Sequence, residues 1–145
     1  MLVSLVIINL KEMEITTRKS TVSRELGEAN SILNVYFPQT SFRTETKKEG
    51  NYTCILISYT DGVSSQRVYN ALKRLERYAQ PEINSDGIRI EIQREISPEV
   101  QKLLMSEMKT VFNMKTALKM SDYFQPIKGT VGDYVRLIFK MRDFK

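Results

Sequence analysis

Histidine and tryptophan are both absent from the sequence, and cysteine occurs once, at Cys54. Histidine titrates nearest neutral pH and is the commonest metal ligand, so without it the usual hydrolase triads and most zinc sites are excluded. A single cysteine forms neither an intrachain disulfide nor a thiolate cluster, which suits a reducing compartment and a cytoplasmic location. The four prolines and six glycines are scattered, leaving no linker, repeat or low-complexity tract. No glycine-rich loop of the phosphate-cradling kind occurs.

Long hydrophobic runs are lacking too. The strongly apolar residues 1–10 fall short of the ~20 that a membrane helix needs, and no lysine or arginine precedes them as in a signal peptide. An added strand, edge or central, within residues 1–15 is the expectation, with no membrane partner.

The chain has 145 residues, enough for one domain with one core, and a hydrophobic fraction of 41% argues for folding over disorder. Lysine and arginine outnumber aspartate and glutamate by 22 to 17, a formal charge of +5. That excess permits nucleic-acid binding without establishing it.

Hydrophobic spacing divides the chain into elements. Val22, Leu26, Ala29, Leu33 and Tyr36 recur at helical intervals until Pro38, predicting a helix over 20–36. From Ser41 to Glu49, Phe42, Thr44 and Thr46 alternate with charged residues as in a half-exposed strand. Gly50 and Asn51 turn the chain into the apolar run 52–59, a central strand pairing with it as an antiparallel hairpin.

Asp61-Gly62 ends that strand. Ser64 or Ser65 then caps a helix reaching about Ala79, with Val68, Ala71, Leu72, Leu75, Tyr78 and Ala79 as its buried stripe. Residues 88–96 alternate cleanly, with Ile88, Ile90, Ile92 and Arg94 on one face. Ser97-Pro98-Glu99 starts a helix whose core face is Val100, Leu103, Leu104, Met108, Val111 and Phe112. Residues 134–144 fit a strand or a helix capped by Thr130, and the helix is preferred. The sum is an α+β two-layer sandwich, a small, mainly antiparallel sheet covered by helices, with 113–145 as a helical extension.

Arg67, Asn70, Arg74 and Arg77 recur at intervals that line up on one side of the second helix, with Lys73 nearby. Such a line suits phosphates or an acidic protein surface, and also an ordinary solvated face. Lys47 and Lys48, near the hairpin tip, are further candidates for partner binding. Lys102, Lys109, Lys115 and Lys119 read as solubilising charge. Tyr36, Phe37, Phe42, Tyr52, Tyr59, Tyr69 and Tyr78 read as packing aromatics rather than base-stacking platforms.

No catalytic, cofactor-binding or metal-ligating set emerges. Cys54 lies in the most apolar strand with no histidine to activate it. Asp61 and Asp86 precede glycines as turn formers, and Glu91 and Glu95 show no spacing that predicts convergence with them.

The helix end Val35-Tyr36-Phe37-Pro38, the strand Ser41-Phe42-Arg43-Thr44, the segment Ile57-Ser58-Tyr59-Thr60-Asp61-Gly62-Val63 and the stretch Gln93-Arg94-Glu95-Ile96-Ser97-Pro98-Glu99 together resemble a large polyvalent protein-associated domain family. The similarity spans residues 18–112, with a weaker match over 134–144. The chain departs from many members at Lys47-Lys48-Glu49-Gly50, where they carry glycine-rich hairpins, and at Val63, where they carry proline. The resemblance implies a phage or mobile-element protein of α+β fold without catalytic residues, acting in a bacterial host.

The leading expectation is therefore a non-enzymatic accessory protein that binds a host protein or ribonucleoprotein, with inhibition of a CRISPR nuclease as one such role. Direct DNA or RNA binding through the basic helix face is the alternative. Oligomeric state stays open, because the strand 41–49 can pair with a second copy or be shielded by the amino-terminal strand.

Overall fold

Helical spacing up to Pro38 produces α1, which occupies residues 23–36 of the 23–145 that the computed structural model describes. The expected beginning of this helix near residue 20, and the strand expected within 1–15, lie outside the described residues. Ala29, Ile32 and Leu33 form its buried side.

The expected hairpin follows as β1 (Arg43–Glu49) and β2 (Tyr52–Thr60), antiparallel and turning at Gly50, whose φ of 60° is left-handed. β2 is the central strand, as its two apolar faces predict, because β3 (Gly87–Glu95) pairs along its other side. That second pairing is parallel, with Ile55 opposite Ile90 and Ile57 opposite Ile92. The sheet is thus mixed, antiparallel only between β1 and β2. The reason is the connection: residues 61–86 hold a helix, which returns the chain to the end where β2 began.

The crossover helix α2 runs from Ser65 to Leu72 and tightens into a 3-10 turn over Lys73–Leu75. It does not reach Ala79 as its periodicity suggested. Glu76 is extended, its carboxylate accepting from the Ile90 amide at 3.1 Å and from the Tyr69 hydroxyl. Arg77 then exchanges backbone hydrogen bonds with Ile88 at 3.1 and 2.9 Å, so the segment joins the β3 side instead of continuing the helix. Tyr78, expected in the core stripe, is 86% exposed. Gly87 permits this crossing, since a Cβ there would lie 2.3 Å from the Tyr52 ring and 2.7 Å from the Ala79 nitrogen.

Ile55, Ile57, Ile88 and Ile90 form one core with Ala29, Leu33 and Phe37 from the α1 side and Val68, Leu72 and Leu75 from the α2 side. This is the expected two-layer arrangement, two helices over one sheet face. A second core is built by α3 (Pro98–Val111) and α4 (Val131–Met141) around Leu104, Met108, Val131, Val135 and Phe139. Ser97 caps α3, accepting from the Val100 amide at 3.1 Å. Thr130 and Asp133 form a reciprocal capping box that settles residues 131–141 as helix. Only part of the core face expected for α3 is buried: Leu103, Val111 and Phe112 are exposed. Before α4, the short strands β4 (Tyr123–Phe124) and β5 (Gly129–Thr130) pair around a 3-10 turn.

Arg94 joins the two cores. From the helix-covered face of β3, opposite Tyr59, its guanidinium donates to the carbonyls of Asp61 (2.6 Å), Gly62 (2.9 Å), Phe139 (2.6 Å) and Arg142 (2.8 Å). The Phe139 ring lies 3.8 Å from the guanidinium carbon. Burial lowers the pKa of this group, and Tyr59, Asp143 and Asp61 counteract the shift.

Arg94→Ala is expected to destabilise the fold by about 3 kcal/mol, because several partly buried carbonyls lose their donor together. That corresponds to a fall of roughly 10 °C in Tm. Arg94→Lys should fall between, since an ammonium offers three donors from one point and no planar fork. Thermal unfolding of both variants checks this, and an unchanged Tm would contradict the junction.

Candidate functional site

The exposed side of α2 faces the end of α1 across an open groove. Val68 and Leu72 anchor α2 to the sheet, which turns Arg67, Asn70 and Arg74 outward at helical intervals of three and four. Ile32 and Phe37 on the α1 side and Ala71 on α2 make the apolar floor of a hollow of about 470 Å³, with Arg67, Asn70 and Arg74 along one wall and Tyr36 on the other. Tyr36 is 66% exposed, so it is not the packing residue that its helical phase suggested. The Arg67 guanidinium lies 5.6 Å from the centre of the Phe37 ring.

The seven basic and polar residues singled out in the sequence do not form one surface. Arg67, Asn70, Lys73 and Arg74 remain together on α2 and its 3-10 extension. Asn70 accepts from the Gln66 amide at 3.0 Å, while Lys73 and Arg74 are exposed and have no acidic partner among the described residues.

Arg77 leaves this line because the helix has already ended. Its guanidinium reaches the buried Glu25 at 3.8 Å and the Asp86 carbonyl at 3.3 Å. Lys48 pairs with the Asp86 carboxylate, so Arg77 and Lys48 belong to a charge-balanced cluster at the start of β3. Lys47 points to the opposite sheet face, where Glu49 binds it at 3.2 Å and raises its pKa. These three contribute to local structure rather than to the groove.

Sequence reasoning missed Asp143. One of its carboxylate oxygens accepts from the Ser64 amide at 2.8 Å and the other from Arg67, at the Ser65 end of α2. Burial acts to raise the Asp143 pKa, but the Ser64 amide, Arg67 and the charge of Arg94 outweigh it and hold the group below the ordinary aspartate value. Neighbouring charge on β3 and the loops does not form a further centre. The Asp61 carboxylate accepts from the Ser97 amide at 2.8 Å, Asp86 is taken by Lys48, and Glu91 accepts from the Cys54 thiol at 3.3 Å.

Cys54 is buried, and that burial, followed by the Glu91 contacts, pushes its pKa up to about 11. Among the described residues, no cluster of three or more histidine, cysteine, aspartate or glutamate side chains is placed to hold a metal ion, and no helix is long and apolar enough to cross a membrane. No family model, curated protein or solved structure matches the chain.

Two outcomes follow from these environments. Cys54 in the native protein at pH 8 should react with a thiol reagent at least about a hundredfold more slowly than in denaturing urea, and similar rates would show an accessible thiolate. Because the folded pKa of Asp143 is the lower one, its stabilising contribution is complete above about pH 4 and is lost as pH falls through the folded value. A shift titration of the Ser64 amide should therefore have its midpoint below that pH; a midpoint at or above it would mean that the carboxylate is not held.

Proposed function

We propose that the chain is a non-enzymatic binding protein that receives an acidic segment of a protein partner in the groove between α1 and α2. The observation that carries this reading is one surface combining an apolar floor with a cation, Arg74, that no described acidic residue neutralises, while the equally unpaired Lys73 stands beside it on the 3-10 turn outside the hollow. An apolar hollow takes the anchoring side chain of a partner, while rim charge steers the encounter and selects its sign. In the mobile-element setting that the resemblance implies, the partner is a protein or ribonucleoprotein of the bacterial host. A defence nuclease such as a CRISPR effector is the candidate, and the cytoplasm is the site of action.

Direct binding of DNA or RNA is the second reading, favoured by the exposed Tyr36 ring across from Arg67 and Arg74. An open aromatic beside arginines is what base stacking requires. The two readings differ in salt response, since each phosphate contacted adds roughly one unit to the log-log slope of affinity against salt.

The test is capture from nuclease-treated bacterial lysate by the tagged protein and by its Lys73→Glu, Arg74→Glu double variant. A protein retained by the wild type and lost from a folded double variant is the expected result. Equal retention by both removes the groove from the reading. Retention of nucleic acid alone, before nuclease and with a steep salt slope, transfers the function to the second reading.

A further inference from the structure

After Met141 the chain leaves α4 in extended form, with Arg142 at φ −121° and ψ 143°, and residues 143–145 line the Arg67 end of the groove. Asp143 occupies the Ser64 amide and Arg67. One residue on, the Phe144 amide donates to the Gly62 carbonyl at 2.6 Å, and the Phe144 ring stacks on Phe139 at 5.6 Å. α2 supplies neither an acidic residue in its first turn nor a capping hydrogen bond from the Ser64 side chain. The seat is therefore a cationic one, filled by a carboxylate that arrives from the end of α4, distant in sequence. The contact is shallow: the Asp143 and Arg67 side chains remain 43% and 59% exposed. A hollow of about 400 Å³, lined by Tyr36, Phe37 and Val63, lies open beside them.

We propose that Asp143-Phe144 is an internal stand-in ligand, a strap that fills an acidic-peptide seat and yields it to a partner segment in which an aspartate or glutamate precedes an aromatic residue. This rests on the groove being the binding surface and names what that surface recognises. The Gly62 carbonyl decides for a peptide over a phosphate. It accepts a backbone N–H one residue beyond the carboxylate, a donor that a peptide carries at that position and a phosphodiester does not. Tethering gives the strap an effective concentration of order millimolar, so a free segment displaces it only by using more of the surface, including Arg74 and the Tyr36 hollow.

The probe is the acetylated peptide Met-Arg-Asp-Phe-Lys, the sequence of residues 141–145, titrated into the full-length protein. It is expected to bind the Asp143→Ala, Phe144→Ala variant and to bind the wild type at least about tenfold more weakly, because there the strap competes. A peptide with alanine replacing aspartate should not bind. Absence of binding to a variant with native circular dichroism overturns the proposal, as does equal binding to both proteins. Inorganic phosphate or oligothymidylate displacing the peptide from the seat would reassign it to anions in general or to nucleic acid.

Should the variant fail to fold, amide hydrogen exchange on the wild type decides. Exchange at Ser64 and Phe144 at least about tenfold faster than at Ile57 supports an opening strap, and protection equal to that of Ile57 overturns it. Combining Lys73→Glu and Arg74→Glu with the strap variant should leave binding of the five-residue peptide in place, so the strap and the wider groove fail separately.

Discussion

One guanidinium holds the two halves of this molecule together. Arg94 is carried by a strand that otherwise presents isoleucines to the same face, and it sits where β2 and β3 end beside each other. Removing a cation from water is costly, and here four carbonyls and an aromatic ring offset that cost. The carbonyls come from the turn after β2 and from the end of α4, so the compensation that the charge demands also fixes the spacing between the two cores. Lysine does not substitute, because its donors radiate from one atom and cannot address four separated oxygens at once.

The same place gathers the turn geometry. Asp61 and Gly62 both adopt left-handed backbone conformations, with φ of 55° and 58°. At Gly62 a side chain would also strike Thr40, 2.6 Å from an added Cβ. These conformations aim successive carbonyls at Arg94, while Asp61 uses its own carboxylate on the Ser97 amide. Tyr59 closes the arrangement by donating its hydroxyl to the Val63 carbonyl at 2.6 Å. An Asp-Gly turn that looked like simple punctuation thus links β2, α2, β3, α3 and α4.

Much of this fold was legible where the determining physics is local. Alternation placed β1 and β3 and put Arg94 on the isoleucine face, and a run apolar on both faces placed β2; Ser97-Pro98-Glu99 announced α3, whereas the terminal segment fitted strand or helix and the helix was preferred. Strand direction was less visible, because alternation reads the same both ways, although a helix between β2 and β3 was itself a sign of a parallel crossover. The end of α2 was misread because Val68, Leu72 and Leu75 continue in phase to Tyr78 and Ala79. What ends the helix is tertiary: Glu76 finds the Ile90 amide and Arg77 finds Ile88. The same event explains the partial success at the groove. Arg67, Asn70 and Arg74 follow from helical spacing alone, whereas Arg77 requires knowing where the helix stops. Asp143 lies 76 residues from Arg67, beyond any local pattern.

The groove's charge is therefore a property of the whole fold and not of α2. Arg94 binds the Arg142 carbonyl, and the next residue is the aspartate that neutralises Arg67. The interaction that fixes the two cores thus also sets how much positive charge the Ser65 end of the groove displays. With the carboxylate in place, Arg67 is paired and the uncompensated charge lies at Lys73 and Arg74. With it withdrawn, Arg67 and the exposed Ser64 amide join them, and one cationic track extends along the helix. Under the proposed function, a partner that favours the second arrangement would gain affinity only by its difference in interaction with the two, and the strength of the hold on residues 142–144 would set the threshold for that binding. Substitutions around Arg94 that leave the groove untouched should accordingly alter recognition through that hold.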